Sequence, residues 1–255
     1  VVAIGWDVRG WRSRDQAVAV LAFESPDSPA NWLGVSGQFQ LATGEPLGLS
    51  SLIEPATGRQ LDMARLKAAR VVIGIDAPLA FPRRLIELLD AQGQLAVCPP
   101  DREINNVFAY RDCERWIFER FAKKPLSATF DKLGNNATLA ICMARRLQDE
   151  GYDLVPQQAA SSGHAVIEVY PGIVKRGRKK TDPAIRSVAQ HIPAQLVAGT
   201  DQYDAAICAI LAATFAGMGP GLGLPDLAGP QPGYDPGEGW IYGLPADFVQ
   251  REAHE

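Results

Sequence analysis

Two aspartates stand where apolar runs stop: Asp7 closes the run from Val1 to Trp6, and Asp76 closes Val71-Val72-Ile73-Gly74-Ile75. Runs this rich in β-branched residues predict buried strands. Ligands of open α/β sheets gather outside the carboxyl ends of the strands, so two neighbouring strands would present both acids to one crevice. Three more acids join the candidates. Glu168 lies inside the late apolar run Val166-Ile167-Glu168-Val169, where it is desolvated unless paired or bound to a metal. Asp201 and Asp204 open an alanine-rich helical segment, with a spacing that sets both carboxylates on one face; capping and favourable charge in a first helical turn are the competing account. Carboxylates forced together repel, and a divalent cation is the common resolution. Oxygen ligands without His or Cys point to Mg2+ or Mn2+ rather than zinc, and such ions suit phosphodiester cleavage.

Cations accompany the acids. Lys175, Arg176, Arg178, Lys179 and Lys180 follow Glu168 closely and could hold a nucleic-acid backbone, DNA or RNA, with a solvated loop as the alternative. Arg111, Arg115 and Lys123 recur on roughly one side of a helical segment, and Arg111 is a further candidate for nucleic-acid contact. His164, just ahead of the late strand, is a candidate proton carrier, a turn histidine being the plainer reading. Trp6 and Trp11 flank Asp7 as possible walls of the site, whereas Trp240 is expected to pack.

Strands and helices must position these groups. Val1 to Asp7, Ala17 to Phe23 and a segment near Val35 to Leu41 read as a first set of strands, the first two close enough for a hairpin. Ser50 to Ala69 reads as a helical connection broken at Pro55 and Gly58, with Leu61 and Met63 among its spaced apolar residues. Val71 to Ile75 is the strongest strand. Helices follow over Pro82 to Gln92, Arg111 to Lys123 and Asn136 to Glu150, making a large helical insertion at about 95–160. Ala165 to Val169 is a late strand and Tyr203 to Phe215 a narrow helix. The glycine- and proline-rich stretch at about 217–255 reads as irregular.

The 255 residues, 47% hydrophobic and 21% charged, carry a net charge of -4. That composition predicts one ordered α/β domain over residues 1–255 and excludes a protein that coats nucleic acid by bulk charge, while leaving room for a local basic patch. Cys98, Cys113, Cys142 and Cys208 show no metal-ligand spacing and read as buried free thiols. No apolar run is long enough to span a bilayer and no signal-type core opens the chain, so a cytoplasmic address is expected. The chain opens on Val rather than Met, which reads as a missing initiator or short leader.

Taken in order, Gly5-Trp6-Asp7 with Gly10-Trp11, Ile73-Gly74-Ile75-Asp76-Ala77-Pro78-Leu79, Tyr110-Arg111-Asp112-Cys113-Glu114-Arg115, Ile167-Glu168-Val169-Tyr170-Pro171, Asp201-Gln202-Tyr203-Asp204-Ala205-Ala206 and Glu238-Gly239-Trp240-Ile241 resemble the domain-of-unknown-function family number 429. The resemblance covers nearly the whole chain. It implies an RNase H-like fold, with a mixed five-stranded sheet flanked by helices, and places the chain in a predicted nuclease group. Asp7, Asp76, Glu168 and Asp204 would then be catalytic acids, and Asp7, Asp76, Asp201 and Asp204 the ligands of Mg2+ or Mn2+. Two rivals stand beside this reading: a binding or scaffold protein that keeps the fold, and a kinase-like enzyme whose first-strand loop binds nucleotide.

Overall fold

The computed structural model describes residues 1–42, 44–57, 66, 68–93, 98–131 and 134–254. The chain opens with β1 (Val2–Asp7), β2 (Gln16–Ala22) and β3 (Asn31–Phe39), and then forms α1 (Leu49–Thr57) and β4 (Val71–Asp76). Helices α2 (Arg83–Asp90), α3 (Asp112–Phe121) and α4 (Gly134–Asp149) lead to β5 (Asp153–Leu154) and β6 (His164–Val169). A short α5 (Arg186–Ala189), the long α6 (Asp201–Ala213), β7 (Ile241–Tyr242) and α7 (Ala246–His254) complete it. Pro55 does not break the helix but lies inside α1, while the expected break at Gly58 and the apolar residues Leu61 and Met63 lie outside the described residues.

The sheet is mixed, in the order β3-β2-β1-β4-β6-β5, with β7 also pairing β6. β1, β2 and β3 form an antiparallel meander, whereas β4 runs parallel to β1 and β6 parallel to β4. The expected order of five strands is present, but among the described residues the sheet has seven: β5 and β7 are two-residue strands that attach near the start and the end of β6. Segments this short carry no period to read, so the count of five is corrected. β3 also begins earlier than its apolar run, because Asn31–Leu33 is drawn into pairing with β2 at a register shift.

Alternation along the strands sorts the core into two layers. Ala3, Val72, Ala165 and Ile167 point to the face covered by α6, whose alanines let it lie close. Ile4, Trp6, Ile73, Ile75 and Val166 point the other way, onto Leu52 and Ile53 of α1 and Leu139, Met143 and Leu147 of α4. The apolar strand β4 is therefore enclosed on both faces, as its unbroken hydrophobic run predicts.

Two glycines set the approach of α6. Gly5 and Gly74 are register partners on β1 and β4. A Cβ at Gly5 would lie 2.0 Å from the Ala205 carbonyl oxygen, and one at Gly74 2.7 Å from that of Cys208. The helix backbone thus rests directly on the two strands. Thr200 caps it by accepting from the Tyr203 N–H at 3.3 Å. Asp201, the residue read as a possible cap, is instead the first helical residue.

Among the described residues, no helix is long and apolar enough to cross a membrane.

Candidate active site

Asp7 and Asp76 end adjacent parallel strands and are register partners. Each lies two residues beyond its glycine, so both carboxylates leave the sheet on the α6 side. The contact that brings Ala205 against Gly5 also sets Asp204, one residue earlier, over the same strand ends. All three acids line a cleft of about 320 Å³.

Crowding and burial act together on this set. Asp7 is 4% exposed, and its carboxyl is raised well above the ordinary range by burial first and then by Asp76. Asp76 is pushed up to about 7 by burial and by Asp204, against the opposing pull of Lys175 and Arg9. Asp204, 7% exposed, is likewise raised by burial and partly restored by Lys175. Asp7 Oδ2 meets no hydrogen-bond donor; its nearest cation is Arg9 Nη2 at 3.5 Å. Asp204 Oδ1 lies 2.7 Å from Lys175 Nζ, close enough for ion pairing but poorly directed for a hydrogen bond.

The remaining expected acids have other partners. Ile75 of β4 faces Glu168 of β6 in the parallel register, so Glu168 shares the face of Ile75 and not that of Asp76. Its oxygens take Arg111 Nη2 at 2.6 Å, Arg111 Nη1 at 2.8 Å and the Leu79 N–H at 2.9 Å. Asp201 is held between Arg9 and Lys180, the latter at 2.6 Å. Partial burial pushes its carboxyl up, but the hydrogen bonds from these two cations prevail and leave it below the ordinary range. Both still bear on the set, Glu168 lining the same cleft and raising Asp76 and Asp201 raising Asp7, but each is already bound by cations.

Arg111 corrects the expectation of a nucleic-acid contact. It is fully buried, bound to Glu168, to Glu114 Oε1 at 2.9 Å and to the Glu238 carbonyl at 3.2 Å. An enclosed guanidinium with its donors committed cannot meet a phosphate. The helical side shared by Arg111, Arg115 and Lys123 is therefore not a solvated cationic face at Arg111.

The run 175–180 divides. Lys175 is 7% exposed and serves Asp204 and the Lys180 carbonyl, at 2.9 Å for the latter. Arg178, Lys179 and Lys180 line the cleft and are exposed, while Arg176 is exposed outside its lining. The loop is braced by Asp182, which accepts from the Lys179 N–H at 2.7 Å, and by Lys123, which donates to the Gly172 carbonyl.

His164 pairs with Val71, at the start of β4, while Asp76 is at the end. Five residues of strand, about 16 Å, separate the two levels, which removes His164 from the chemistry. Trp6 faces the opposite layer and Trp11 hydrogen-bonds to Thr138, so neither walls the cleft. Trp240 packs against Trp116 and Tyr234, as expected. The cysteines are free thiols, but Cys98 and Cys142 are exposed rather than buried.

Arg9 and Tyr170 belong to the site without having been singled out for it. Arg9 links Asp7 to Asp201. The Tyr170 hydroxyl is pushed up to about 12 by burial and by Asp76 and Asp204. A cation two residues after a strand-end acid was the available signal for Arg9; Tyr170 had only its place beyond β6.

The donor chemistry suits a cation at Asp7 and Asp76. Two carboxylates, the buried Asp7 with an unpartnered oxygen and the half-buried Asp76, are the number through which magnesium is usually held when water and a substrate phosphate complete its shell. Among the described residues, no group of three or more His, Cys, Asp or Glu side chains is arranged to hold a metal. Comparison of the chain with protein-family models, curated proteins and solved structures finds no match.

Proposed function

We propose that this protein is a metal-dependent phosphodiester hydrolase, a nuclease of the RNase H-like kind resembling family 429, with the helices between β4 and β6 as an insertion in that fold. The observation that carries the reading is the register pairing of Asp7 with Asp76 at the carboxyl ends of two parallel strands, beneath Asp204. Asp7 and Asp76 would hold Mg2+ or Mn2+, which supplies Lewis-acid polarisation of a phosphoryl oxygen and a water of lowered pKa. Asp204, fixed by the α6 backbone against Gly5, orients groups from the opposite side of the cleft. Lys175 holds Asp204 in place and adds positive charge where a phosphate would lie. Arg178 and Lys179 supply exposed charge to draw in the polyanion. Glu168 acts at one remove, holding the Leu79 N–H and so the turn after Asp76.

The test is incubation of the purified protein with single-stranded and structured DNA and RNA in manganese or magnesium. Cleavage is expected, and is expected to vanish in Asp7→Asn and Asp76→Asn. No cleavage of any substrate, or cleavage that survives both substitutions, overturns the proposal.

One observation favours a second reading, a non-catalytic binding protein. Lys175 already neutralises Asp204, leaving two rather than three acids for a metal. Calorimetric titration with manganese separates the two, because a binding protein of that kind takes up none. A kinase-like reading finds less support: a Cβ at Gly10 would lie 1.8 Å from the Asn135 side-chain nitrogen, so this glycine accommodates α4 rather than a nucleotide phosphate.

A further inference from the structure

The form of nucleic acid that can reach the acids follows from what lines the cleft. Asp7 Oδ2 is a buried, unpartnered oxygen in a residue of the lining, so the floor is an interior surface built to meet something that enters. The space, about 320 Å³, is near the lower end of small-molecule pockets, which run from about 300 to 1,000 Å³. Acids, cations and apolar side chains all border it, Glu114 and Glu168 among the acids. Lys175 and Lys180 already pair with Asp204 and Asp201, whereas Arg178 and Lys179 are exposed and have no ion-pair partner among the described residues. Pro125 and Leu126 border the same cleft, and Leu126 is 53% exposed although apolar. Lys123 joins the two regions by donating to the Gly172 carbonyl and, at 3.5 Å, to the Gly177 carbonyl.

The cleft thus offers free cations and a free apolar surface within one small volume, above carboxylates that suit a metal. A duplex cannot use both. Its phosphates lie outside and its base faces are stacked within, and its persistence length of about 50 nm resists bending into a narrow recess. An unpaired nucleotide presents a phosphate and an exposed base face together; single strands are held by cationic grooves and by side chains, mostly aromatic, that cover the base faces, and here Pro125 and Leu126 would cover a base by apolar contact rather than by stacking.

We infer that the cleft accepts one unpaired nucleotide of a single strand or a frayed end, with its phosphate toward Arg178 and Lys179 and its base against Pro125 and Leu126. The inference rests on reading the cleft as a nucleic-acid site and adds the substrate form. It assigns Leu126 as a specificity residue for unpaired strands.

Binding is measured by fluorescence anisotropy, with calcium replacing magnesium, using labelled oligothymidylate, labelled oligouridylate and a labelled duplex dumbbell closed at both ends. Both single strands are expected to bind about tenfold or more tightly than the dumbbell. Leu126→Ser is expected to weaken single-strand binding about fivefold, to leave dumbbell binding unchanged and to melt like the parent, its side chain being exposed. Equal affinity for the dumbbell, or no effect of Leu126→Ser, overturns the inference. A cleavage arm in manganese separates it from the hydrolase reading. A dumbbell cut as fast as a single strand removes the inference and leaves the hydrolase; single strands bound tightly but never cut do the reverse.

Discussion

Single carboxylates in this cleft act through the cost of being charged there. Asp76, raised to about 7, and Asp7, raised by burial and by Asp76, hold their protons in the folded chain at pH values where an unfolded chain has lost them. The unfolded state then binds fewer protons, so stability falls as pH rises from about 4 to about 7. Asp76 keeps partial solvent access, and its contribution is set at about 1–3 kcal/mol. Urea unfolding against pH in chelator should show this decline, and Asp76→Asn should flatten it. Added Mn2+ should restore stability above neutral pH in the parent and not in Asp76→Asn, since a ligand of the folded state alone stabilises it. Lys175 works in the opposite sense, since removing it leaves Asp204 buried without its counter-charge. Lys175→Met should cost about 3–5 kcal/mol in urea unfolding, and adding Asp204→Leu should recover part of the loss.

Elements reach the site through close backbone contact and one buried polar network. Gly5→Ala sets a methyl 2.0 Å from the Ala205 carbonyl, a rigid neighbour, so either α6 lifts or β1 bends. The expected loss is about 1–3 kcal/mol or more by urea unfolding. Divalent-ion affinity measured by calorimetry should fall with it, because Asp7 ends the same strand two residues beyond Gly5. At the other end of the cleft Arg111 joins α3 to β6 through Glu114 and Glu168. Glu238 accepts the backbone N–H of Arg83 at 2.8 Å and of Asp112 at 3.0 Å, tying the starts of α2 and α3 together. Arg111→Met strands two buried glutamates and should cost about 3–5 kcal/mol in thermal or urea unfolding. Arg111→Lys should not rescue it, because an ammonium cannot reproduce the forked contacts to both acids.

Across the whole molecule, a chain of net charge -4 keeps exposed cations at its cleft. Binding of a polyanion should therefore be local and salt-dependent. Lys179→Ala should reduce the slope of log affinity against log salt by about 0.7 for a single strand, the loss of one phosphate contact. Lys180→Ala should change it less, since that ammonium is 2.6 Å from Asp201. Measuring the anisotropy of a labelled oligonucleotide across a salt series checks both.

The strand-end acids were legible because a β-branched run closed by an aspartate is a local feature: burial ends where the apolar residues end, and Asp7 and Asp76 follow. The first three strands and the narrow helix carrying Asp204 were legible for the same reason, whereas the mixed sheet was implied by the family resemblance and its antiparallel and parallel pairings came from the tertiary structure. Glu168 looked equivalent in sequence, but a parallel register of Ile75 with Glu168 turned it to the other face, and no local pattern encodes that register. Arg111 looked like a surface cation because its partners, Glu168 and the Glu238 carbonyl, are 57 and 127 residues away. Lys175 looked like part of a solvated basic run, yet the fold around it puts its ammonium under Asp204. The sequence by itself determined which groups sit at the ends of elements, since burial and periodicity are properties of neighbouring residues. Only the tertiary structure decided which charges meet, because ion pairing depends on register and helix approach between segments distant in the chain.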